Sequence, residues 1–146
     1  MRRTLILLLL AVAACPLHAG LGPANAEPNK EKRSRLALEN ADKQMDAADK
    51  EYEAGNWSGV LAALEETGAS VDLAFDSLKQ SGKNPRRGGK QFKNAEIRMR
   101  ALVRRIDSFR LKLSGDQLAP LDKVRDRVQR AHDELLDAIL GRVSWK

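Results

Sequence analysis

The stretch FKNAEIRMRALVRRIDSFRLKL, residues 92–113, decides the fold. Its apolar residues Phe92, Ala95, Met99, Leu102, Ile106, Phe109 and Leu113 recur at alternating steps of three and four. That rhythm gathers them on one face of a helix, the face a neighbouring helix covers. A half-buried strand would alternate every second residue instead.

Working outward, the same rhythm returns three times. Upstream it runs through Trp57, Leu61, Leu64, Gly68, Val71, Phe75 and Leu78, and before that through Leu38, Ala41, Met45, Ala48 and Tyr52. Downstream it runs through Leu121, Val124, Val128, Ala131, Leu135 and Ala138. Gly55-Asn56, the segment 81–89 with Pro85 and its glycines, and Gly141 interrupt it with turn-forming residues. Composition agrees: aromatic residues make up only 4% of the chain, while 32% is charged, a balance that favours helix over sheet.

These patterns predict helices over about 30–54, 57–80, 89–113 and 117–140, joined by short connections. Short connections favour antiparallel neighbours, so the expected architecture is an all-α, antiparallel up-down-up-down four-helix bundle preceded by an export signal. Ser114 and Gln117 fit a capping box, with Pro120 tolerated in the first turn of the last helix. The first helix, with Ala41 and Ala48 in its seam, is expected to hold most weakly. Gly68 is expected to weaken its helix, or else to permit a close contact or a kink.

The N-terminus reads differently. Arg2-Arg3 precede an unbroken apolar run, Leu5 to Ala14, in the layout of a secretory leader. The run is about half the ~20 residues a membrane-spanning helix needs. Two processing readings stand. Ala24-Asn25-Ala26 has the small-X-small form of a cleavage site, giving a signal peptide over 1–26 and a single domain over 27–146. Alternatively, Val12-Ala13-Ala14-Cys15 resembles a bacterial lipobox, giving a lipoprotein signal over 1–14, a lipidated Cys15 and a flexible tether over 16–29. Both place the domain outside the cytoplasm, periplasmic or secreted, with a membrane link only through the lipid anchor. Cys15 is the single cysteine of the chain, so the domain has no disulfide and no cysteine metal cluster.

Two short stretches resemble known families. Tyr52-Glu53-Ala54-Gly55-Asn56-Trp57 resembles the turn of a tetratricopeptide repeat, but no 34-residue recurrence accompanies it. Leu113-Ser114-Gly115-Asp116-Gln117 resembles the Leu-Thr-X-X-Gln motif of periplasmic stress chaperones and zinc-resistance proteins, with Ser in place of Thr. The capping box accounts for that match by itself, and neither resemblance assigns a functional residue.

Chemistry-bearing constellations are sparse. His132 stands alone in the domain and reads as a partly covered structural histidine. Asp42, Asp46, Asp49 and Glu53 give the first helix an acidic face, read as solvated, because a di-metal bundle would need Glu-X-X-His pairs on facing helices. Gly88-Gly89 lacks the spacing of a phosphate loop. The expectation is therefore a non-enzymatic protein with no cofactor and no metal.

Charge is the one asymmetry. Residues 27–55 carry net −2, residues 56–80 net −3, residues 81–113 net +9, and residues 114–146 are neutral. At 100° per residue, Lys93, Arg100 and Arg104 point away from the seam, with Ile97 and Leu111 among them. Arg98, Arg105 and Lys112 form a flanking stripe at sevenfold spacing. Apolar residues framed by arginine suit a contact surface, so these eight are the candidate partner-binding residues. The partner expected is an anionic protein or envelope component; nucleic acid is not expected, since no aromatic residues interleave with the arginines. The competing reading is internal, with this basic helix pairing its flank charges against the acidic helices. Ile139, Leu140, Val143 and Trp145 form a second apolar cluster that caps the bundle or joins copies of it. A self-associating structural bundle and a stress chaperone or metal-responsive protein remain the alternatives to a binding or scaffold protein.

Overall fold

The computed structural model describes residues 20–145, and among these every regular element is helical. A short helix α1 spans Gly22–Ala26. Four long helices follow: α2, Lys30–Glu53; α3, Trp57–Gln80; α4, Lys90–Arg110; and α5, Leu118–Leu140, the last entered through a 3-10 turn over Gly115–Gln117. The lipobox cysteine Cys15 and the apolar run ahead of it lie outside the described residues. Residues 22–26, expected to leave with the leader or to serve as tether, form α1 and pack against α2 with Ala24 buried. No helix among the described residues is long and apolar enough to cross a membrane.

Local chemistry sets the helix ends. The Asn29 side chain accepts from the Lys32 backbone N–H and starts α2, and Asn56 does the same for Gly59 at the start of α3. The capping box of Ser114 and Gln117 is present with both of its bonds. At the other end of α5, Gly141 takes the left-handed conformation (φ 75°), so that Arg142 N–H reaches the Asp137 carbonyl. α4 stops at Arg110, short of the expected 113, because Leu111, Lys112 and Leu113 donate to carbonyls three residues back. That tightened turn leaves Leu111 outside and brings Leu113 in.

The apolar faces meet in one core. Every seam residue of the third and fourth segments is buried, from Phe92 to Leu113 and from Leu121 to Ala138. The second segment buries a wider face than expected: Leu64, Gly68, Val71 and Leu78 are buried and Trp57 and Phe75 pack against the core, Leu61 is 37% exposed, and Val60, Ala63, Thr67, Ser70, Ala74 and Ser77 are buried as well. The reason is geometric. α3 packs against both α2 and α5, so it buries a face two stripes wide rather than one.

Contacts run α2 with α3, α3 with α5, α5 with α4, and α4 with α2; α3 and α4 touch only slightly although they are consecutive. Short connections alone pointed to neighbours, but the segment 81–89 is nine residues long and reaches up to ~30 Å, enough to carry the chain past an adjacent helix. It also lies tightly over the core. A Cβ on Gly88 would sit 2.3 Å from a ring carbon of Phe92 and 2.8 Å from the Asn84 carbonyl oxygen, so only glycine fits. Cross-links ascend together along two pairs of helices. Asp42, Asp46 and Asp49 of α2 meet Arg98, Arg105 and Lys112 of α4, while Glu65, Asp72 and Lys79 of α3 meet Arg127 and Glu134 of α5. Each of these two pairs therefore runs parallel.

Candidate functional site

The basic helix α4 divides its charges between two faces. On the inner flank, Arg105 donates to Asp46 at 2.5 Å, to Asp49 at 3.4 Å and to the Asp42 backbone carbonyl at 3.1 Å. Lys112 reaches Asp49 at 2.8 Å, and Arg98 lies 3.7 Å from Asp42 and 4.0 Å from Glu39. Partial burial works against the Arg105 charge, but the bonds to Asp46 and Asp49 outweigh it and hold its pKa above the ordinary arginine value. The hydrogen bond to Asp49 likewise raises Lys112. Asp42 moves the other way from a typical paired carboxylate: burial raises its pKa, and the nearby charges of Arg98 and Arg105 only partly offset that. Asp42, Asp46 and Asp49 of the acidic face, still partly solvated, are therefore counter-charges of α4, while Glu53 stays exposed, and three of the eight candidate residues, Arg98, Arg105 and Lys112, serve the packing of α2 on α4.

The outer face is different. Lys93 and Arg104 are exposed and make no side-chain hydrogen bond or ion pair to any described residue. Arg100 is exposed and pairs only within its own helix, with Glu96 at 3.3 Å. Ile97 is 51% exposed and Leu111 86% exposed. From Lys93 to Leu111 this stripe runs along most of α4. These five are the candidates that stay together on one open surface.

A cleft of about 700 Å³ opens beside the stripe, between the N-terminal turns of α2 and α4. Leu38, Leu78, Ala95 and Ile97 supply its apolar lining, and Lys90, Arg35 and Arg98 its cations. Ser34, buried at its inner side, has a hydroxyl oxygen with no hydrogen-bond partner. Glu27 and Glu31 also line it, but they are held by Lys32 at 2.6 Å and Lys83 at 2.7 Å. Arg35 is likewise held by Glu39 at 2.9 Å and Arg98 lies by Asp42, so among the described residues Lys90 is the charge of the lining without a side-chain partner. Ile97 belongs to both cleft and stripe.

His132 is buried, with Nε2 2.9 Å from Glu96 and Nδ1 2.9 Å from Asp133. Its place in the fold is a polar link from α5 to α4, a partner the sequence did not reveal because Glu96 is thirty-six residues away. Gly68 has a cross-helix role as well. Arg127 lies across it, donating to Asp72 at 2.7 Å and Glu65 at 3.0 Å, and a Cβ on Gly68 would meet the guanidinium at 2.7 Å. The C-terminal cluster splits. Trp145 packs edge-on against Phe75 with ring centres 5.3 Å apart, and Ile139 joins the core, whereas Leu140 and Val143 stay exposed.

No family model, no curated protein and no solved structure matches the chain. What the fold and its surface define is an all-helical protein whose open chemistry is a cationic, apolar-studded stripe beside a cleft.

Proposed function

We propose that this chain is an exported, non-enzymatic up-down-up-down four-helix bundle that docks an acidic protein segment on the outer face of α4. Lys93, Arg100 and Arg104 meet its carboxylates, Leu111 and Ile97 meet its apolar side chains, and the neighbouring cleft admits one of them. The observation that carries the reading is the sorting of charge on one helix. α2 takes up Arg98, Arg105 and Lys112, yet Lys93 and Arg104 have no counter-charge among the described residues, with Ile97 51% exposed between them. Large exposed apolar side chains framed by unpaired cations fit a partner surface of opposite charge better than water. A concave apolar cleft favours a protein side chain over a flat layer of lipid head groups.

The test is capture from envelope extracts by the purified protein, set beside the double variant Lys93→Glu, Arg104→Glu. The expected outcome is an acidic partner captured by the wild type and lost by the variant, with helical circular dichroism unchanged. Undiminished capture by the variant would remove the stripe from the site, and retention on anionic vesicles alone would reassign it to lipid.

A further inference from the structure

We infer that the exported domain begins at or before Gly20, so that the leader is not removed at Ala24-Asn25-Ala26. This rests on the proposed export and concerns where the chain is processed. The small-X-small pattern that resembles a cleavage site has a second physical cause. Ala24 is 2% exposed and belongs to the main core, and Leu21 packs against the same core. A close approach of α1 to α2 requires a small side chain at that position. Pro23 sits in the first turn, where its missing N–H costs no helical bond. Asn25 N–H closes the turn on the Leu21 carbonyl at 2.8 Å.

The segment is also tied down where it leaves α1. The Glu27 carboxylate accepts from the Asn29 backbone N–H at 3.0 Å and pairs with Lys32 at 2.6 Å, and the Glu27 carbonyl accepts from Arg33 Nε at 2.8 Å. These bonds hold the pKa of Glu27 below its usual value, through Lys32 first and Asn29 second. A cut after Ala26 would strip Leu21 and Ala24 from the core and place a charged amine on Glu27, inside this network. A cut upstream of Gly20 leaves all of it whole. Two products would satisfy this: one starting just after Ala19, and one starting at a lipidated Cys15. In the second, residues 20–29 belong to the folded domain rather than to the tether expected over 16–29.

The experiment is expression of the full chain in an exporting bacterial host, with intact mass and N-terminal sequence read on the extracytoplasmic product. The wild type and Ala24→Glu are run in parallel, because that substitution alters both a core position and the proposed cleavage motif. The expected product retains residues 20–26, and Ala24→Glu changes its mass by the substitution alone while lowering its melting temperature by at least about 4 °C. A wild-type product starting at Glu27, with processing blocked by Ala24→Glu, overturns the inference. Recovery only of unprocessed cytoplasmic chain overturns the export reading instead, and the melting shift then still reports whether α1 belongs to the domain: an unshifted variant would sink that too.

Discussion

The two halves of the molecule bury themselves by different means. In α4 and α5 the interior is large and apolar: Phe92, Met99, Leu102, Ile106 and Phe109 face Leu121, Val124, Val128 and Leu135. In α2 and α3 large residues (Leu38, Met45, Val60, Leu64, Val71 and Leu78) share the interior with small and polar ones: Ala37, Ala41 and Ala48 with Ser34, Asn40 and Gln44 on one side, and Ala63 and Ala74 with Thr67, Ser70 and Ser77 on the other. Asn40 donates to Ser70 Oγ and to Glu66, each at 2.9 Å, which sets the antiparallel register and puts Ala37 level with Ala74. The buried hydroxyls of Thr67, Ser70 and Ser77 donate to carbonyls four residues back. With alanines and hydroxyl residues set between the larger side chains, the α2 and α3 backbones make the most extensive close approach of any helix pair. α2, expected to hold most weakly because of Ala41 and Ala48 in its seam, buries both alanines completely. It exchanges apolar volume for close backbone packing, and its stability depends on small residues staying small.

The contrast predicts opposite sensitivities. Removing bulk should hurt the α4–α5 half most. Phe109→Ala would empty a site that is 2% exposed and lose the edge-on contact with Tyr52, whose ring centre is 5.7 Å away. A loss of about 3–5 kcal/mol is expected, read by urea denaturation. Adding bulk should hurt the α2–α3 half. Ala41→Leu, at a fully buried position, is expected to cost about 1–3 kcal/mol by forcing the two helices apart. If Ala41→Leu is neutral or stabilising, the close packing of α2 on α3 is wrong and the first helix is underpacked, as its alanines alone suggested.

This division also explains what could be seen in the sequence. The helical class, the four long helices and most of their boundaries were legible because the α4 and α5 stripes are large and apolar, and period alone places them; the short α1 carries no such stripe and was not. The wide face of α3 was not, since a search for apolar steps passes over buried Ser70 and Ser77 and lands on half-exposed Leu61. The candidate surface was half legible. Arg98, Arg105 and Lys112 repeat every seven residues, and so do Asp42 and Asp49 on α2; two such rows on parallel helices match rung by rung, but nothing local says the helices are parallel. That required the long segment 81–89 and the contact of α2 with α4. The unmatched Lys93 and Arg104 have no such counterpart row, which is why they remain open.

Adjacent Arg104 and Arg105 sharpen the comparison to a single peptide bond, and here the expected effects are smallest. Arg105 joins the two halves. Arg105→Glu would lose its three bonds to α2 and set a fourth carboxylate among Asp42, Asp46 and Asp49. The cost expected is about 1–2 kcal/mol, since Arg105 is only partly exposed and its bonds are charge-assisted. Arg104→Glu touches nothing and should stay within about 0.5 kcal/mol of wild type. Raising salt from 0.1 M to 1 M shortens the screening length from about 10 Å to about 3 Å, so the repulsive part of the Arg105→Glu loss should shrink while Arg104→Glu stays flat. Thermal melts of both variants at the two ionic strengths measure this. The same pair separates stability from docking: a partner lost by Arg104→Glu at unchanged stability belongs to the outer stripe. Equal destabilisation by both substitutions would mean that α4 does not sort its charges at all, and the reading of its outer face as a free surface would fail with it.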